Sequence, residues 1–173
     1  MSDFFGRVTG DQDPIKKLAS YIPGFSGYIE RENRRAADKL MRDTVARRFE
    51  ELYKRLSALQ ADLISQGGIE YINDLEKAAL QIRTFTDKTR NATYGYSGFF
   101  DAVKINEAEL AKIYTFDAAF FDLAEQIKNA MDTVEATLGA AEGLPAAIRN
   151  LVTLARQTAT TYEQRYEIFN GSK

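Results

Sequence analysis

Two charged residues stand where a regular apolar repeat calls for hydrophobic ones. The stretch Leu110, Ile113, Asp117, Phe120, Ala124, Ile127, Met131, Val134, Leu138 alternates spacings of three and four, and so does Ile148, Leu151, Ala155, Thr158, Tyr162, Arg165, Phe169. Such spacing puts every member on the inner face of a helix. Asp117 and Arg165 therefore point inward, where a lone carboxylate costs several kcal/mol and takes up a proton unless it is paired. A hairpin centred near Ala141 places the two opposite each other, so a bidentate ion pair is expected, with Tyr162 and Tyr166 close enough to serve spare lone pairs. Reflecting the same level through Gly67 and the connection near Phe100 adds Arg83 and Glu51 to the layer. This layer reads first as a register-fixing device and second as a buried ligand or proton site.

Most other catalytic chemistry is closed to the chain. It has no histidine and no cysteine, which removes imidazole bases, thiol nucleophiles, Ser-His triads, zinc-finger spacing and disulfides together. A ferritin-type di-metal centre needs inward Glu on all four helices and paired Glu-x-x-His motifs, which this sequence lacks. No phosphate-binding glycine loop or nucleophile elbow occurs either. The expectation is a protein that is not an enzyme and needs no cofactor or metal.

The segment YGYSGFFDAVKI, residues 94–105, concentrates aromatics around two glycines. As a connection, it folds its rings over the open end of a helical core. As a site, Tyr94, Tyr96, Phe99 and Phe100 would line a pocket or a partner-docking patch, with Asp101 and Lys104 orienting what binds.

The elements that position these residues are helices. The only prolines are at 14, 23 and 145, so nothing interrupts a helix between Gly24 and Leu144. A first long helix is predicted from Glu30 to Ser65, about 50 Å long, with Ala37, Leu40, Met41, Val45, Phe49, Leu52, Leu56, Leu59 and Leu63 facing inward. Gln66-Gly67-Gly68 ends it. A second runs from Ile69 to Ala92 with Ile69, Ile72, Leu75, Ala79, Ile82 and Phe85 inside. Asn106 and Glu109 form a capping box that opens the third, which runs to Leu138, and Pro145 lies in the first turn of the fourth. The fold class is all-α: an antiparallel up-down four-helix bundle of long helices, residues 29–173, preceded by an N-terminal segment, 1–28. The competing arrangement is a coiled-coil hairpin that completes its core by dimerising. Unequal helix lengths leave the first helix, and the end of the third, overhanging their neighbours.

Within residues 1–28, a short helix from Ile15 to Ile22 carries Ile15, Leu18, Ala19 and Ile22 on one side. Together with Phe4, Phe5 and Phe25 it forms a clasp on the bundle or, less favoured, a weak anchor on an anionic membrane.

Charge is distributed unevenly although the net charge is only −2. From Glu30 to Leu56 nine Lys or Arg face six acidic residues, whereas from Asn106 to Leu138 seven acidic residues face Lys112 and Lys128. Opposed helices of this kind steer neighbours in one bundle or join copies. Arg31, Arg34, Arg35, Lys39 and Arg42 form a candidate patch for phosphate or anionic lipid, while nucleic-acid readout has no supporting motif. No apolar run approaches the roughly 20 residues of a membrane span, and the first ten residues lack a secretory pattern, so a cytoplasmic home is expected, with peripheral membrane contact as its variant. The functional expectation is a non-catalytic scaffold or adaptor for protein partners or its own copies. An anionic-membrane regulator is the alternative, and a small-ligand-binding bundle the third class.

Overall fold

The computed structural model describes residues 14–28, 30–92, 106–140 and 142–170, of which the side chains of Arg31, Phe169 and Asn170 are left undescribed. It is all-helical among these residues, with five helices packed against each other. They are α1 (Pro14–Tyr21), α2 (Arg34–Ser65), α3 (Ile72–Asn91), α4 (Glu107–Thr137) and α5 (Leu144–Asn170). None is long and apolar enough to cross a membrane.

Local chemistry sets each boundary. α2 starts four residues later than its apolar pattern suggested, because Arg31–Asn33 form a 3-10 turn in which Asn33 N–H bonds the Glu30 carbonyl at 3.0 Å and Asn33 Nδ2 bonds Glu30 Oε2 at 2.6 Å. Its far end is a Schellman turn: Gly68 N–H returns to the Leu63 carbonyl and Gly67 N–H to that of Ile64, with Gly67 at φ 82°. A second 3-10 turn, Ile69–Tyr71, follows. It carries Ile69 into solvent, 68% exposed, where the apolar period had placed it inside. The α4 capping box is formed in full, with Glu109 N–H on Asn106 Oδ1 at 2.9 Å and Asn106 N–H on Glu109 Oε2 at 3.1 Å.

α2 packs on α3 and on α4, and α5 packs on the same two helices. The pairs that meet across α2 and α4 advance together: Arg48 reaches Glu125, and Arg55 reaches Asp132 and Glu135. Basic α2 and acidic α4 are thus complementary inside a single chain. Down the middle, Phe49 meets Phe85 at 4.5 Å and Phe85 meets Phe120 at 5.1 Å between ring centres. The inward positions of α2 are buried as their spacing requires, with Leu40 half-buried.

The described part of residues 1–28 shares this core. Leu18, Ile22, Phe25 and Tyr28 belong to the same apolar cluster as the long helices, and α1 packs on α4. Ile15 is half-buried and Ala19 exposed, so the buried side of α1 is narrower than its pattern indicated. Fully buried Leu18 and Ile22 each contribute roughly 1.5–3 kcal/mol, which an isolated two-turn helix lacks. α3 is 12 residues shorter than α2, and because Arg42 already reaches its last carbonyls, residues 34–41 run past its end. Arg34 Nε there donates to the Tyr28 carbonyl, so the segment after α1 lies beside the overhang.

Candidate functional site

Four charged side chains lie inside the bundle on three helices: Asp38 and Arg42 on α2, Asp117 on α4 and Arg165 on α5, none more than 6% exposed. Arg165 Nε donates to Asp117 Oδ1 at 2.6 Å, and its Nη2 donates to Asp38 Oδ1 at 3.3 Å. Arg42 Nε donates to Asp38 Oδ2 at 2.7 Å, while its Nη1 reaches the carbonyls of Thr89 and Arg90 near the end of α3 at 3.3 and 3.4 Å. Two carboxylates and two guanidinium groups therefore alternate in one hydrogen-bonded layer of zero net charge that touches all four long helices. Arginine suits this position because its planar fork bonds two acceptors at once without losing its charge.

The layer is closed from the side of α1. Tyr28 Oη donates to Asp117 Oδ2 at 2.6 Å, and Tyr28 N–H donates to Tyr114 Oη at 2.6 Å. The Tyr28 and Tyr114 rings stack at 5.1 Å with Phe25 edge-on to both. Gly27 permits this approach: its φ is 82°, and a Cβ there would lie 2.7 Å from the Tyr114 hydroxyl. Burial, and then the neighbouring Asp117 and Asp38, push the Tyr28 phenol well above its ordinary value, so it stays a neutral donor. Burial also raises the Asp117 carboxyl, against the opposing pull of Arg165 and the Tyr28 hydroxyl. Two donors converging on its two oxygens suit the ionised form.

Asp117 and Arg165 meet as the heptad and hairpin register indicated, but the other expected members do not join them. Glu51 and Arg83 are exposed. Each precedes an inward residue, Leu52 next in sequence or Phe85 two on, and faces outward, and the acid that shares Arg165 with Asp117 is Asp38 rather than Glu51. Glu51 instead lines a groove of about 190 Å³ between α2 and α4, and Arg83 a cleft of about 330 Å³ between α2 and α3. The phenol that serves Asp117 is Tyr28's, while Tyr162 Oη donates to the Lys88 carbonyl at 3.5 Å. Asp38 and Arg42 carried one usable signal, an acid–base pair four residues apart on one helix. Tyr28 carried none, since it sits in irregular chain.

The candidate anionic patch is not one surface. Arg42 is buried in the layer, Arg34 is half-buried and bonded to Tyr28, Arg35 and Lys39 are exposed, and the Arg31 side chain lies outside the described residues. So do Tyr94, Tyr96, Phe99, Phe100, Asp101 and Lys104, together with Phe4 and Phe5. Among the described residues no group of His, Cys, Asp or Glu is placed to hold a metal ion. Comparison of the chain with known protein families, curated proteins and solved structures finds no match.

One polar atom in this region is left over. Buried Thr86 and Thr158 satisfy their hydroxyls on carbonyls one turn back, at 2.8 and 3.1 Å, but the Thr89 hydroxyl, on a residue 3% exposed, has no partner among the described residues. Replacing it by a methyl of the same shape removes a desolvation cost, so Thr89→Val raises stability in urea by about 1 kcal/mol with an unchanged m-value. Asp117→Ala lowers it by about 3–5 kcal/mol, because the buried Arg165 loses the carboxylate that its Nε bonds at 2.6 Å. A midpoint near that of the parent contradicts the layer in Asp117→Ala and the unpartnered hydroxyl in Thr89→Val.

The pH dependence of Asp117 has a definite sign. Its folded pKa lies above the unfolded one, so the folded chain binds the proton more tightly and loses stability as pH rises from about 4 through the folded value. Asp117→Asn removes this titration. The stability advantage of the parent over Asp117→Asn therefore shrinks across that window and is flat above it, as paired urea titrations would show; an advantage that grows with pH refutes it.

Proposed function

We propose that this chain is a non-catalytic helical scaffold or adaptor, its long helices forming an antiparallel up-down four-helix bundle made of two hairpins, α2/α3 and α4/α5, side by side. The observation that carries this reading is the closed, neutral layer. Its acidic and basic groups, the chain's strongest candidates for chemistry, are spent on one another and on holding four helices in register. Recognition then falls to outer helix surfaces, where Ile69 and Leu80 are 68% and 61% exposed. The partner is a protein or a further copy of the chain, met in the cytoplasm.

Peripheral contact with an anionic membrane is the weaker alternative. Exposed Arg35 and Lys39 favour it, but Leu18 and Ile22, which would insert, are fully buried. Two measurements test the proposal. A melting-temperature screen against charged and neutral metabolites is expected to show no shift that depends on Asp117 or Arg165, and flotation with anionic vesicles at low salt is expected to leave the protein unbound. A stabilising compound whose effect vanishes in Asp117→Asn would make the layer a ligand site, and co-flotation would make the membrane reading the correct one.

A further inference from the structure

The outer face of α3 carries charges that complement one another when the helix meets its own image. Leu80 stands at the centre of this face, 61% exposed, with Glu76 and Lys77 one turn before it and Arg83 and Thr84 one turn after, all exposed. Helical geometry, about 100° per residue, puts Glu76 and Arg83 on one side of Leu80 and Lys77 and Thr84 on the other. The contacts agree. Gln60 Nε2 of α2 donates to Glu76 Oε2 at 2.9 Å, and Arg83 lines the cleft it shares with Glu50 and Tyr53 of α2, so both stand on the α2 side. Gln60 brings no charge to Glu76, and Arg83 has no partner among the described residues. Lys77 is met within its own helix, by Asp74 at 3.3 Å.

A two-fold axis at the level of Leu80, perpendicular to α3, sets an identical helix antiparallel beside it and keeps the two α2 sides together. Leu80 then meets Leu80 of the second copy. Glu76, about 6 Å along the helix from the axis, meets Arg83 of the second copy, about 4.5 Å along in the matching direction. Symmetry repeats the contact, so two ion pairs bracket one leucine pair, while Lys77 faces Thr84 on the opposite side and no like charges stand directly opposed. A parallel arrangement sets Glu76 against Glu76 and Arg83 against Arg83, which charge repulsion disfavours.

We infer that the outer face of α3 is the surface through which two copies of this chain pair, antiparallel about Leu80, with reciprocal Glu76–Arg83 ion pairs. The inference rests on the scaffold reading and names the partner of that surface. What selects a second copy is self-complementarity: an unneutralised acid and a free base on the same side of an exposed leucine, one turn before it and one turn after. A single helix face buries less than the roughly 1,200 Å² of a lasting complex, and its ion pairs are exposed, so the dimer is weak, reversible and loosened by salt.

Sedimentation equilibrium of the full chain, from micromolar to millimolar concentration at two salt levels, tests this. The mass of the parent is expected to rise from one chain toward two, less steeply at high salt. Leu80→Ser, Glu76→Arg and Arg83→Glu, all at exposed positions, are expected to keep the parent's helical content and each to weaken the dimer by about tenfold or more. Glu76→Arg and Arg83→Glu chains repel their own kind but complement each other in both ion pairs, so an equal mixture is expected to recover the parent's association. A parent that keeps the mass of one chain at millimolar concentration overturns the inference and leaves a different protein as the scaffold's partner. A dimer that the single substitutions leave intact overturns α3 as its surface, and a mixture that fails to recover association overturns the antiparallel pairing. Co-flotation with anionic vesicles, the result that defeats the scaffold reading, is read separately from these masses.

Discussion

The contact between Arg165 and Asp117 is the constraint around which the molecule is arranged. A carboxylate with no exposed surface is tolerated only when charge and hydrogen bonds are returned to it. Arg165 returns the charge, but a second buried guanidinium, Arg42, then requires a second carboxylate, and Asp38 serves both arginines. The four groups come from fixed positions on three helices, Asp38 and Arg42 on α2, Asp117 on α4 and Arg165 on α5. A slide of α2, α4 or α5 by one turn would separate an acid from its base inside the core, and a slide of α3 would take its carbonyls from Arg42, penalties that leucines facing leucines do not impose. Apolar contacts such as Phe49–Phe85–Phe120 supply the bulk of the burial, and the charged layer selects one among the many registers those contacts would accept.

What the sequence disclosed follows from how local each signal is. The α4 capping box, the glycine reversal after α2 and the heptads of α4 and α5 depend on residues within a few positions of one another, and all were readable. Asp117 and Arg165 were readable because each breaks a strict repeat and a short turn sets their register. Glu51 and Arg83 were misplaced because their level was carried across the longer connection at 93–105, where a shift of a few residues also changes the face. Tyr28 was invisible for a different reason. Its role depends on a chain reversal through Gly24 and Gly27, both at positive φ, and on Tyr114 lying 86 residues away. No periodicity encodes such a contact.

The uneven charge of α2 and α4 is likewise resolved within the fold. Arg48 and Arg55 face Glu125, Asp132 and Glu135 across the helix interface, at half-exposed positions where such pairs bias orientation more than they add stability. The local basic excess on α2 is therefore partly consumed by the acidic helix beside it. Arg35, Lys39, Arg47 and Lys54 remain exposed on α2.

The helix pairs α2/α3 and α4/α5 can also be compared in where their buried charges find partners. Arg42 and Asp38 neutralise one another on a single helix, and Arg42 ties that helix to the end of α3; Asp117 and Arg165 do the same between α4 and α5. Each helix pair thus compensates its own buried charges, at shorter sequence separations than the link between Arg165 and Asp38. When the halves come together, two compensated pairs meet rather than two naked ions, and the bond from Arg165 to Asp38 links the two buried pairs. Tyr28 comes from upstream of both, and its bond to Asp117, 89 residues away, completes a layer in which each carboxylate already has a guanidinium partner.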